Sequence, residues 1–191
     1  MSVCIRRSTF SWVDKLGMAS RLGLKRVMRQ QLCCGGYAVL GAGGHTPFPD
    51  YWATLLWKRL MGGRVLEIVG DDAPGRTIRA YAHCLARVPA RDAGNGGLAV
   101  AIINMQNASA RVDVATENQQ QQQREVYRLG TVEGVFTGHH ATLNGAELLV
   151  GAGGVLPTLR PTIETAGTEL LLEPLSITFV ALPHANAKAC M

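Results

Sequence analysis

Clusters of basic residues, metal-type cysteine spacings and long apolar runs are all missing from this 191-residue sequence. Each absence removes a class of function. The formal charge is +5, but the lysines and arginines are scattered. Nucleic-acid binders concentrate them on one face or helix, so no nucleic-acid partner is expected. Residues Met1 to Arg7 lack the apolar core of a secretory signal, and nothing later is long enough to span a bilayer. The five cysteines, Cys4, Cys33, Cys34, Cys84 and Cys190, match no zinc or CxxC spacing. His45 and the pair His139 and His140 have no partners at metal-ligand spacing, so neither a metal nor another cofactor is expected. Charged residues are only 17% and hydrophobic ones 47%, which excludes wholesale disorder and predicts a folded core.

What is present divides in two. Apolar Trp12, Leu16 and Leu22 recur at helical spacing and predict a short helix over Thr9 to Gly23, with Gly17 and Gly23 as punctuation. Lys25 to Cys33 reads as a strand, followed by the loop "GAGGHTPFPD". A second helix is expected from Tyr51 to Met61, with Asp50 as N-cap, Lys58 and Arg59 in the last turn and Gly62-Gly63 as the stop. After Gly63 the period changes to two. "RVLEIVG", "RTIRAYAHCL", "GLAVAIINMQ", "ARVDVAT", "REVYRLG", "HATLNGAELLV" and "TELLLEPLSITFVALP" all have strand character, and Asn144-Gly145 suits a type I′ hairpin turn. Many short strands of this kind predict a β-sandwich. The glutamine run Gln119 to Gln123 reads as a solvated insertion without function.

A single helix–strand–helix unit cannot cover a parallel strand on both faces. The first sixty residues are therefore expected to be the end of a barrel or layered α/β domain, and the chain to begin inside a larger protein. Within "MRQQLCCGGY", Gly35, Gly36 and Tyr37 read on their own as a Gly-Gly turn followed by a packed tyrosine. Asn107-Ala-Ser109 is an N-glycosylation sequon.

Several stretches taken in order resemble heparanase and the plant heparanase-like β-glucuronidases of glycoside hydrolase family 79. They are "WVDKLGMASRLGL", "VMRQQL" with "GGY", "PDYWATLLWKRLMGGRVL", "AYAHC", "VAIINMQNAS", "REVYRL", "TLNGAELL", "LPTL" and "PLSITFV" with "NAKAC". Each is weak alone, but the ordered set spans about Phe10 to Cys190.

The resemblance implies a mostly β chain: the terminal part of a (β/α)8 barrel over residues 1–63, then an antiparallel β-sandwich over 64–191. It also implies that sandwich strand material from before the barrel is absent, leaving one sheet edge unpaired. The barrel-end helix with Trp52 and Leu56 is then expected to expose an apolar patch. Such enzymes are retaining glycosidases, which need two carboxyl groups about 5–5.5 Å apart. In the family both are glutamates upstream of the segment matched here. No other pair substitutes: Asp71 and Asp72 lie in a turn, Glu164, Glu169 and Glu173 read as surface charges, Asp50 as a cap, and Asp14 as a charge on the polar side of the first helix.

By the same resemblance, Gly35, Gly36 and Tyr37 match a Gly-Asn-Tyr stretch that contacts the uronic acid beside the scissile bond. Here Gly36 stands where the family has Asn. Cys84 and Cys190 match a disulfide pair, Asn107 matches a glycosylated position, and Cys33 and Cys34 are bystanders. The implied partners are an acidic glycan or glucuronide and the missing barrel segment. The implied locations are lysosomal, vacuolar or extracellular, with peripheral association to membranes. A non-catalytic glycan-binding module is the alternative, because the family contains a member that lacks activity yet binds heparan sulfate.

Overall fold

The computed structural model describes residues 5–35, 38–41, 43–69, 77–86, 96–116, 123–132 and 140–191. Within them are two helices, α1 (Ile5–Arg21) and α2 (Pro49–Leu60). Ten strands follow: β1 (Met61–Leu66), β2 (Ile78–Leu85), β3 (Leu98–Asn104), β4 (Ala110–Val112), β5 (Gln123–Thr131), β6 (Ala141–Leu143), β7 (Ala146–Glu147), β8 (Thr162–Thr165), β9 (Leu170–Leu172) and β10 (Ser176–Leu182). All the ladders are antiparallel. The main sheet runs β1-β2-β3-β10-β5-β6-β7, with β8 added to β5, and β4-β9 form a second, two-stranded sheet. Asn144 and Gly145 both have positive φ, which joins β6 to β7 by the expected tight turn.

The period-two pattern assigns each face. In β10, Ile177, Phe179 and Ala181 face the helices, while Val180 and Leu182 face the second sheet. β3 divides likewise: Ala99, Ala101 and Ile103 lie on the helix side, Val100 and Ile102 on the other. Because β10 is covered on both faces, all seven of its residues are buried, which explains its near-continuous apolar run.

The helices do not end as the sequence suggests. Phe48 is the N-cap of α2 and makes no side-chain cap bond, and Pro49 opens the helix. Proline fits there because the first-turn N–H it lacks has no helical partner. Asp50 is therefore not the cap. At the other end Met61 is both C-cap and first residue of β1, so Gly62 and Gly63 lie inside a strand. A Cβ on Gly62 would come 2.4 Å from the Cys84 carbonyl oxygen, so this glycine permits close strand approach rather than a stop.

Two further expectations change. Lys25 to Cys33 forms no strand; among the described residues its only ladder-like contact is a single parallel bridge from Cys33 to Leu40. A parallel strand needs partners on each side, and without them Leu24, Met28 and Leu32 stay 60%, 88% and 68% exposed. Conversely, Trp52 and Leu56 are not a surface patch. Both are fully buried in the core formed with Tyr81, Ile103 and Phe179, because α2 lies against the sheet. β1 pairs only with β2 among the described residues, leaving one edge open.

Gly17 sits inside α1, which continues to Arg21. A Cβ there would come 2.2 Å from the Tyr81 ring. One turn earlier, Asp14 accepts hydrogen bonds from Tyr81 Oη and Arg79 Nη1, each at 2.5 Å. Asp14 is thus an anchor to β2 and not a solvated charge. Burial pushes the Tyr81 hydroxyl above its ordinary pKa, and the bond to Asp14 adds to it. Replacing Gly17 by alanine should force α1 off the ring. Overpacking of this kind costs about 1–3 kcal/mol, more than the ~1 kcal/mol alanine gains over glycine in a helix. A lowered urea midpoint is the expected readout.

Candidate functional site

The loop that leaves the Lys25–Cys33 segment is folded on itself. The amide of Leu40 donates to Leu32 O at 2.9 Å, Ala38 N to Gly35 O at 3.1 Å, and Cys34 N to Leu40 O at 3.4 Å. Gln31 and Cys34 hold positive φ, a conformation that costs non-glycine residues about 1–3 kcal/mol each. Gly35 fits beneath Gln31, whose Oε1 would lie 2.0 Å from an added Cβ. Gly36 and Tyr37 lie outside the described residues, so of the three predicted sugar contacts only Gly35 is placed. Cys4, Asp71, Asp72, Gln119 to Gln122 and His139 also lie outside them.

A polar cluster supports this loop. Asp50, buried on α2, accepts hydrogen bonds from Thr9 and Arg29. The Arg29 guanidinium also stacks 5.1 Å from the Trp12 ring, and Trp12 Nε1 donates to Thr54 Oγ1 at 2.8 Å. Arg29 thereby ties the loop to both helices. Sequence reasoning missed this, since Asp50 and Arg29 are twenty-one residues apart and meet only when α1 and α2 pack.

The other predicted candidates are dispersed. Glu164 is not a surface charge: it binds Arg124 Nη2 at 2.9 Å and Arg128 Nη2 at 2.6 Å. Burial alone would raise its pKa, but the two guanidiniums outweigh it and hold the carboxyl below its ordinary value. Glu169 pairs with exposed Arg111, and Glu173 is exposed. His140 pairs with Glu147 and His45 is exposed. Among the described residues no group of three or more His, Cys, Asp or Glu could hold a metal. No helix there is long and apolar enough to cross a membrane.

A groove of about 790 Å³ lies elsewhere, on the face of β1–β3 that β4-β9 leave uncovered. Leu66, Ile78, Val100, Ile102 and Val112 line it. No Lys, Arg or His is among the described residues that line it.

His83 on β2 packs edge-on to Trp57 with ring centres 5.4 Å apart. Its Nδ1 lies 2.6 Å from Gly62 O; a carbonyl only accepts, so the proton sits on Nδ1, and buried Nε2 has no partner among the described residues. Burial pushes its pKa down, and the Gly62 bond only partly opposes this. The folded chain therefore resists a proton that the unfolded chain accepts near pH 6.5. Stability should be full above about pH 7 and fall as pH drops below about 6.5. In thermal melts, His83→Asn should flatten that part of the profile.

Cys84 in β2 and Cys190 in the C-terminal 3-10 turn Lys188–Cys190 form a disulfide, with Cα atoms 5.4 Å apart. Asn107 is exposed in the bend between β3 and β4. Asn104 braces that bend, donating to Ala108 O and Glu173 O and accepting from Gln106 N.

The fold, two helices over an antiparallel sheet backed by a smaller one, also occurs in a solved structure. The chain is similar to the α-L-arabinofuranosidase of Thermotoga maritima: TM-score 0.54, 15% identity, 80% of this chain and 32% of that one. No family model matches the chain. Among curated proteins it is 32% identical to heparanase-like protein 1 of Arabidopsis thaliana, covering 95% of this chain and 38% of that protein. It is equally similar to baicalin-β-D-glucuronidase of Scutellaria baicalensis (91% and 31%) and to heparanase of Gallus gallus (95% and 35%). Human inactive heparanase-2 matches at 30% over 95% of this chain and 32% of that protein. Over the portion it spans, this chain is a member of the heparanase family. It spans between about a third and two-fifths of the length of these relatives.

Proposed function

We propose that the chain is the part of a heparanase-type retaining β-glucuronidase that joins the end of the (β/α)8 barrel, residues 1–63, to its β-sandwich, residues 64–191. In this reading the catalytic glutamates lie outside it. The observation that carries the reading is the match over about 95% of the chain to a heparanase and a heparanase-like protein. The Lys25–Cys33 segment, bridged among the described residues only from Cys33 to Leu40, supports the barrel assignment, since exposed Leu24, Met28 and Leu32 are what a strand deprived of its barrel neighbours would leave.

Its role is to present Gly35, Gly36 and Tyr37 to a glucuronic acid unit of a heparan sulfate-like glycan or glucuronide conjugate. A glycine lets backbone N–H groups approach a carboxylate, and a phenol adds a hydrogen bond. By itself the chain binds and does not hydrolyse. Retaining hydrolysis needs one carboxyl kept protonated beside one that is ionised. The carboxylates of Asp14, Asp50 and Glu164 are each held by guanidinium groups instead. The Cys84–Cys190 bond and exposed Asn107 are consistent with an oxidising secretory route, toward a lysosome, vacuole or the cell exterior, with peripheral association to membranes.

Titration of the chain with a heparan sulfate oligosaccharide should give salt-sensitive binding. Tyr37→Ala should weaken it about tenfold, the worth of one hydrogen bond to a charged group. Binding that ignores the substitution would sink the assignment of the loop. The relative named inactive favours a second reading, a non-catalytic glycan-binding module. Transcript sequence upstream of Met1 separates the two: a reading frame with the barrel glutamates supports the first, an in-frame stop the second.

A further inference from the structure

The adjacent thiols Cys33 and Cys34 play no part in the account above, yet their geometry is specific. Both are free, Cys34 is exposed, and their Sγ atoms lie 2.8 Å apart. Unbonded heavy atoms, even carbons, rest roughly 3.5–4.0 Å apart. Cys34 holds positive φ, as does Gln31 just upstream, and strain of this kind concentrates at switch regions. We propose that Cys33 and Cys34 are a redox site that closes to a vicinal disulfide by exchange with a low-molecular-weight disulfide, and so sets the conformation of the loop that follows.

In the first step the exposed Cys34 thiolate attacks one sulfur of the oxidant RSSR, forming a mixed disulfide and releasing one RS⁻. Cys33 then attacks the Cys34 sulfur and expels the second. Two electrons pass from the protein dithiol to RSSR, and the two protons leave with two RSH. The contact with Cys34 pushes the Cys33 thiol above its ordinary pKa, consistent with Cys34 attacking first. Adjacent Cα atoms across a trans peptide are ~3.8 Å apart, closer than the usual span of a bridge, so the product belongs to the readily reduced class. Closure would fix the 33–34 peptide immediately before Gly35. Any effect on glycan affinity rests on the reading of that loop given above.

The test is equilibration of the full chain in glutathione and glutathione disulfide, followed by alkylation and mass spectrometry. The peptide holding both cysteines should lose both alkylation sites and become lighter by two hydrogens, within one chain. The Cys33→Ser variant, unable to resolve the mixed disulfide, should stay glutathionylated on Cys34. The proposal is overturned if both thiols remain alkylatable in oxidising buffer, or if the native peptide accumulates glutathione or interchain bonds instead of closing. Closure without any change in oligosaccharide binding would support the redox site and count against the sugar-contact reading.

Discussion

Replacing Arg124 by alanine is expected to cost this fold about 3–5 kcal/mol, the usual penalty for breaking a buried ion pair. Its side chain is only 2% exposed. The guanidinium donates to Glu164 Oε2 at 2.9 Å, Thr168 O at 2.8 Å and Glu169 O at 3.2 Å. It therefore joins β5, β8 and the turn before β9 at the seam between the two sheets. Removing it strands two carbonyls and half-frees a carboxylate. Arg124→Met keeps the stem packed and should lose clearly less than alanine, which urea midpoints will show. Equal losses would mean that the charge and its hydrogen bonds, not the packing of the stem, carry the effect. The pH dependence has a defined sign. Glu164 is held below its ordinary value near 4.3, so the unfolded chain binds this proton first. The contribution is present above about pH 4.5 and fades as pH falls through the folded value. The Arg124 variants should lose part of that acid sensitivity, with Arg128 retaining the rest.

Loss of the Cys84–Cys190 bond is the second large effect. The two residues are 106 apart in sequence. In the chain-entropy model a loop of this length is worth about 4–5 kcal/mol, with measured values commonly about 2–4. Against a typical total of about 5–15 kcal/mol, that is a large share. The bond also fixes the C-terminal turn over β2, which Arg64 donating to Ala189 O otherwise holds. A Cys84→Ser, Cys190→Ser double variant should melt at a much lower temperature, and reduction of the native chain should reproduce it. A shift of only a degree or two would place the entropy argument in error for this chain.

Some of this was legible from residues alone and some was not. The alternation in "GLAVAIINMQ" and "REVYRLG" located β3 and β5 because period two is a local property. Asn144-Gly145 declared its turn for the same reason. Thr162–Thr165 carries no strand signal of its own, because Pro161 precedes it and Thr162, Ile163 and Thr165 are exposed, so the strand exists through pairing with β5. Lys25–Cys33 differs in the opposite direction: its composition suits a strand, but a strand is formed by partners, and among the described residues it has only the single bridge from Cys33 to Leu40. Asp50 looked like a cap because local rules place caps before apolar runs, while its actual bonds reach Thr9 and Arg29. Arg124 could have been suspected, since strand alternation puts it on the same face as buried Val126. Its partners, some forty residues away, could not.

The measurement that bears most directly on the proposed role is hydrolysis of a fluorogenic β-glucuronide by the purified, disulfide-intact chain. The preparation should unfold cooperatively, so that inactivity is not mistaken for misfolding. The account predicts no release of fluorophore above buffer at any pH between about 4 and 7, the range in which a raised carboxyl would act. Release that disappears on Asp50→Asn, in a variant that still folds, would contradict it and move the catalytic centre into this chain.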